Sequence, residues 1–183
     1  SIIDLHNTSS PSGVFTIVNN TKEASIAKKL NIPIISNLFS KVKGSLVDYY
    51  HKKDITSVVF EGGAIGDPAS INNHEAGIWK LLEANNFIKK DSIPTKILNN
   101  LEEMKNFSKK VKGKYEVKYI HKIKHDDEFI MHPNISNFEK VKKNQTIAKD
   151  RHGMINTTIS GHILMPLYQE KGTEGFYIIQ KID

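Results

Sequence analysis

Apolar and polar positions follow two rhythms along this chain, and the change between them falls near Gly113. Residues 2–5 (IIDL) and 14–18 (VFTIV) are short apolar runs, bounded by turn-forming residues at 7–13 and at Asn19-Asn20. Short apolar runs with such flanks predict strands of a sheet covered on both faces. From Thr21, a residue type suited to a helix N-cap, Ala24, Ile26, Ala27 and Leu30 recur at helical spacing until Pro33 stops the pattern. Residues 32–35 read as the next strand and 45–53 as a second helix. Residues 56–60 read as a β-branched strand that ends at Glu61-Gly62-Gly63. A long helix follows, with its cap expected near Ser70 or Asn72 and with Ile71, Ile78, Leu81 and Leu82 on one face beside Trp79. Ile97, Leu101, Met104 and Val111 mark another helix. Alternating β and α elements predict an α/β layer structure with a largely parallel or mixed sheet.

After Gly113 the hydrophobic period shortens from helical to alternating. Tyr115, Val117, Tyr119, His121 and Ile123 take one face of a strand, and Glu116, Lys118, Lys122 and Lys124 the other. Further short strands are expected at 129–131, 146–148, 154–159, 162–164 and 176–179, separated by Asn, Gly and Pro turn signals. The chain therefore divides, as a sequence, into an α/β part at 1–113 and a β-rich part at 114–183. Residues 141–166 have the half-barrel pattern of lipoyl-like β-domains. They lack the modifiable lysine on a tight hairpin that a carrier domain presents, so the likeness concerns fold.

Composition narrows the function classes. The 183 residues, 38% hydrophobic and 25% charged, are those of a folded chain with one ordinary domain or two small ones. No apolar run approaches the roughly 20 residues of a membrane span, and residues 1–5 lack the basic flank and apolar core of a signal peptide. A soluble cytoplasmic protein with no membrane partner is the expectation. Without cysteine, any metal must be held by His, Asp or Glu. The formal net charge of +6 raises the question of nucleic acid. The lysines, however, alternate with apolar residues on amphipathic elements, and arginine, the preferred base reader, occurs only at Arg151. No nucleic-acid partner is expected. Ser rather than Met at position 1, with a buried strand starting at residue 2, gives the expectation that the chain is cut from something longer.

Two positions suit chemistry. His6 stands where a buried strand runs into a polar loop, and in open α/β sheets sites form outside the carboxyl ends of strands. It reads as a metal ligand or as a partly buried histidine hydrogen-bonded to a loop. Glu61 follows Val58-Val59-Phe60 and precedes two glycines. An acid among apolar residues has its pKa moved up toward the working pH, which suits a general base. The alternative is a capping or salt-bridged Glu at a strand end. His121 and His125 share a strand face, but four residues span about 13 Å in a strand, too far to converge on a metal. His74-Glu75 lacks the second histidine of a zincin helix, and His132, His152 and His162 read as turn or strand residues.

The segment Asp4-Leu5-His6-Asn7-Thr8-Ser9-Ser10-Pro11-Ser12-Gly13 resembles the DLHNT segment of the succinylglutamate desuccinylase/aspartoacylase family, relatives of the zinc carboxypeptidases. Phe60-Glu61-Gly62-Gly63 resembles that family's second motif. The stretches 129–133, 165–168 and 174–177 resemble its β-domain, so the likeness runs in order over nearly the whole chain. The resemblance implies part of a zinc carboxypeptidase-like mixed sheet with helices, followed by a small β-barrel-like C-terminal domain. It implies a zinc-dependent hydrolase that cleaves the amide bond of a small anionic N-acyl amino acid. His6 matches the last of three zinc ligands, Glu61 the general acid/base that activates water, and Tyr177 a tyrosine that contacts substrate. Asn7 lies where the loop after the ligand approaches the site and is carried as a substrate contact. The family's first two ligands come from an upstream His-x-x-Glu motif, which does not occur ahead of His6 in this sequence, and His51 falls about where aspartoacylases place a substrate-contacting arginine. The expectation is therefore one zinc ion whose remaining ligands lie outside this chain, and an empty or weakly held site in the chain alone. The contrasting expectation is a non-catalytic fragment or binding protein that keeps the fold without metal. A homo-oligomer is compatible with either.

Overall fold

The computed structural model describes residues 1–10, 13–42, 44–170 and 172–183, so Pro11 and Ser12 of the His6 motif lie outside the described residues. The elements are, in chain order, β1 (Ile2–Thr8), β2 (Phe15–Val18), α1 (Thr21–Ala27), β3 (Ile34–Ser36), α2 (Leu46–His51), β4 (Ser57–Ala64), α3 (Pro68–Ala84) and α4 (Thr95–Val111). They continue with β5 (Lys114–Lys122), β6 (Ile130–Met131), β7 (Lys140–Val141), β8 (Thr146–Asp150), β9 (Gly153–Asn156), β10 (Gly161–Leu164) and β11 (Glu174–Lys181).

Local chemistry sets most of the boundaries. Asn20, one residue before the expected Thr21, caps α1 by accepting from the Glu23 amide at 2.9 Å. A 3-10 turn extends α1 to Leu30, and Asn31 in the left-handed region ends it. Ser45 caps α2 through the Asp48 amide. The cap of α3 is not Ser70 or Asn72 but Asp67, whose carboxylate accepts from the Ala69 amide at 2.9 Å, with Pro68 preset for the first helical turn. Strand β4 does not stop at Glu61. It runs on through both glycines to Ala64, because β1 stays paired with it as far as Thr8 opposite Ala64, whereas β2 pairs with it only up to Glu61.

The main sheet has eight strands in the order β1-β4-β2-β3-β5-β11-β10-β7. β1 pairs with β4 in parallel, β4 with β2 antiparallel, β2 with β3 and β3 with β5 in parallel, and the remaining neighbours are antiparallel. β1 forms one edge. One face of the sheet carries Phe15, Ile17, Ile35, Val59, Tyr115, Val117, Tyr177 and Ile179, closed over by Leu38, Phe39, Val47 and Phe138. The other face packs Phe60 and Val14 against Ala76 of α3 and Ile97 and Met104 of α4. Each fully buried side chain of this kind adds roughly 1.5–3 kcal/mol.

The β-rich region after Gly113 is present, as two sheets. β5 pairs with β3, and β11, β10 and β7 extend the same sheet, so hydrogen bonding continues across residue 113. β6, β8 and β9 form a separate three-stranded antiparallel sheet. Its Met131, Ile147 and Ala148 pack on Ile163, Phe176 and Ile178 of the main sheet. Among the described residues these strands fall into two sheets packed on each other, and a distinct small barrel is not clearly shown. Among the described residues, no helix is long and apolar enough to cross a membrane.

Candidate active site

Parallel pairing of β1 with β4 puts His6 opposite Glu61, and antiparallel pairing of β2 with β4 puts Phe15 on the other side of Glu61. Paired positions on neighbouring strands project to the same face, so the imidazole and the carboxyl leave the sheet together. Asp4, two residues before His6 and therefore on that same face, holds its carboxylate 3.1 Å from His6 Nε2. The His6 side chain is half exposed, open to a further partner.

Glu61 is only 2% exposed, and its Oε2 is buried with no hydrogen-bond partner among the described residues. Burial, and then the negative charge of Asp4, push its carboxyl up from 4.5 to about 8. A carboxyl held there exchanges its proton close to neutral pH. The apolar surroundings come from the sequence directly: Phe15 and Phe60 are fully buried, and Val59 shares Glu61's face.

Tyr177 sits in β11 between Leu164 and Ile120 of the neighbouring strands and is 5% exposed. Burial, and then the negative charges of Glu174 and Glu61, raise its phenol above the ordinary tyrosine range, so it stays a neutral donor. Asn7 is exposed. Asn7 and Tyr177 line one cavity of about 140 Å³, together with Thr8, Ser9, Met165, Leu167 and Glu174. That is smaller than the roughly 300–1,000 Å³ of a typical ligand pocket. Its walls are the end of β1 with Ser9, and residues among 165–169 and 172–177, and the first two of these are tied together. Asn137 donates to Thr8 Oγ1 at 3.2 Å and accepts from the Met165 amide at 2.7 Å. Ser9 Oγ donates to the Pro166 carbonyl at 3.2 Å and accepts from the Tyr168 amide at 3.0 Å.

The four residues singled out in the sequence thus fall into two neighbouring groups, His6 with Glu61 and Asn7 with Tyr177. His51 lies elsewhere, at the far end of β2 from Glu61, with Nδ1 3.4 Å from the buried Glu23. His121 stacks face to face on Phe176 at 4.9 Å, a packing role. Sequence reasoning passed over Asp4, whose spacing of two from His6 on a strand was a usable signal. It also passed over Asn73 of α3 and read the neighbouring His74 only as an incomplete zincin motif. Asn73 donates to the Gly62 carbonyl at 2.8 Å, and His74 Nε2 lies 3.0 Å from the His6 carbonyl. Among the described residues no group of three or more His, Asp or Glu side chains could hold a metal ion.

No protein-family model matches the chain, and no curated protein sequence does. Solved structures do match. A succinylglutamate desuccinylase/aspartoacylase from Rhodobacter sphaeroides superposes with a TM-score of 0.65 at 11% identity, covering 100% of this chain and 59% of that one. The product-bound ectoine utilization protein EutE (DoeB) from Ruegeria pomeroyi gives 0.66 at 11% identity, covering 98% and 56%. The succinylglutamate desuccinylase from Vibrio parahaemolyticus gives 0.64 at 14% identity, covering 99% and 53%. The chain has the desuccinylase/aspartoacylase fold. At these identities the likeness is one of fold, and the chain spans between 53% and 59% of the length of these three structures.

Proposed function

We propose that this chain carries the general base and one metal ligand of a zinc-dependent hydrolase that cleaves the amide bond of a small anionic N-acyl amino acid. The observation that carries the reading is the buried carboxyl of Glu61, its Oε2 without a hydrogen-bond partner among the described residues, in register with His6 on a fold whose solved examples are desuccinylase/aspartoacylase proteins. The fit to zinc is partial. His6 offers one imidazole of a kind zinc accepts, and the further ligands must come from residues outside this chain. Zinc, when bound, supplies Lewis acidity that polarises a carbonyl and makes water more acidic.

Glu61, with its pKa near 8, takes the proton from the attacking water and returns it to the leaving amine as the C–N bond breaks. Its apolar neighbours keep bulk water away from that carboxyl. The neutral phenol of Tyr177 and the amide of Asn7 donate to the substrate's carboxylate or carbonyl from the shared cavity. The test is zinc content and release of free amine from N-acyl amino acids, measured on the gene product at its native length. His6→Ala should abolish zinc retention. Glu61→Gln should keep the zinc and lower kcat by about 10²–10⁴-fold.

A second reading is a binding protein that keeps this fold without metal. It is favoured by the lack of a three-ligand cluster among the described residues. Native-length protein that holds no zinc and releases no amine would decide for it.

A further inference from the structure

The chain's helices offer one contact to His6 that its motif does not explain. His74, in the second turn of α3, places Nε2 3.0 Å from the His6 main-chain carbonyl. A carbonyl only accepts, so that nitrogen carries the proton of this hydrogen bond. The contact falls where the β1–β4 register shifts, between His6 and Thr8. The preceding residue, Asn73, donates to the Gly62 carbonyl on the other strand, so one step of helix grips β1 beside His6 and β4 beside Glu61. The ring is itself wedged: it meets Phe60 edge to face at 5.4 Å. A Cβ on Gly62 would lie 2.2 Å from His74 Nε2 and 2.4 Å from Cδ2. The first glycine of Glu-Gly-Gly is therefore the space that the imidazole occupies.

We propose that His74 is a positioning residue for His6: by donating to the His6 carbonyl it fixes the end of edge strand β1, and so the direction of the His6 imidazole relative to Glu61. The need is physical. Among the described residues β1 has a hydrogen-bonded neighbour on one side only, and a strand end so placed frays readily just where a ligand must be held still. The inference rests on the reading of His6 as a metal ligand.

The test uses the gene product at its native length and two substitutions. His74→Phe keeps a ring without the donor, and His74→Gln restores a donor of similar reach. Amide exchange, read without metal, should accelerate about three- to tenfold at Asn7 and Thr8 in His74→Phe. It should stay unchanged at Val59 and Ile178 in the core and return toward wild type in His74→Gln. With Zn²⁺ as the probe, the ring signals of His6 should need about three- to tenfold more metal for the same shift in His74→Phe. Unchanged exchange at Asn7 and Thr8, or equal acceleration throughout the core, overturns the proposal. Wild-type protein whose His6 signals ignore Zn²⁺ overturns the zinc reading instead, and the metal-free exchange still decides the role of His74.

Discussion

Glu61 has Phe15 beside it on one strand and His6 on the other, so one carboxyl is both desolvated by an aromatic ring and aligned with an imidazole. The buried strand β4 supplies rigidity and low polarity, and edge strand β1 supplies access: Glu61 is 2% exposed, whereas the His6 side chain is half open. A site for proton transfer to or from water needs both properties in adjacent residues.

Gly62→Ala should destabilise the chain by about 1–3 kcal/mol in urea unfolding, the cost of overpacking a filled space. The new methyl would collide with the His74 ring, so the same variant should loosen the β1 end in amide exchange. Stability equal to wild type would mean that the ring has another place to go.

Asn137→Ala should cost about 1–3 kcal/mol, because it leaves buried Thr8 Oγ1 and the Met165 amide short of a partner. Its second effect should be local. The cavity wall formed by 165–169 and the Asn7–Ser9 loop should exchange faster, visible as lost amide protection at Met165 and Tyr168.

Much of this arrangement was legible in the sequence, and what was missed follows a pattern. Strands β1, β2 and β4 and helices α1 to α4 announce themselves because their apolar spacing is local. His6 and Glu61 stand out because chemistry-bearing side chains interrupt apolar runs. The helix α3 cap was misplaced at Ser70 or Asn72 because Asp67-Pro68, itself a good cap, follows a turn that resembles loop. Strand β7, only Lys140–Val141, is too short and polar to show a period. The pairing of β3 with β5, which carries the sheet across Gly113, is a contact between distant segments that no local rhythm encodes. His74 was set aside as an incomplete zincin motif, because a side chain that serves a backbone carbonyl leaves no motif at all.

The edge at β1 should make the chain self-associate as concentration rises. Leu5 is 40%, Ile71 70% and Phe87 76% exposed, and Ile71, Ile78 and Leu82 recur along α3 on the stripe that also carries His74. Open strand edges beside apolar surface pair readily with other chains. Ile71→Lys should reduce concentration-dependent sedimentation while leaving unfolding within about 0.5 kcal/mol of wild type. Sedimentation unaffected by the lysine would move the sticky surface elsewhere.

Glu61 should also write a pH dependence into stability, with a sign opposite to that of a salt-bridged carboxylate. Burial raises its folded-state pKa from 4.5 to about 8, so the folded chain binds this proton more tightly than the unfolded chain does. The resulting stabilisation is fully present below about 4.5 and is lost progressively as pH rises through 8, by roughly 5 kcal/mol at most. The lysine-paired Glu116, whose carboxyl is lowered chiefly by its hydrogen bond to Lys118, acts in the opposite sense and at lower pH, so the two windows separate. Glu61→Gln keeps the shape and removes the charge. Urea unfolding at pH 5, 7 and 9 should therefore show wild type losing stability across the series and Glu61→Gln overtaking it at the alkaline end. Parallel curves for the two proteins would mean that water or a countercharge reaches Glu61 and that its carboxyl is an ordinary one.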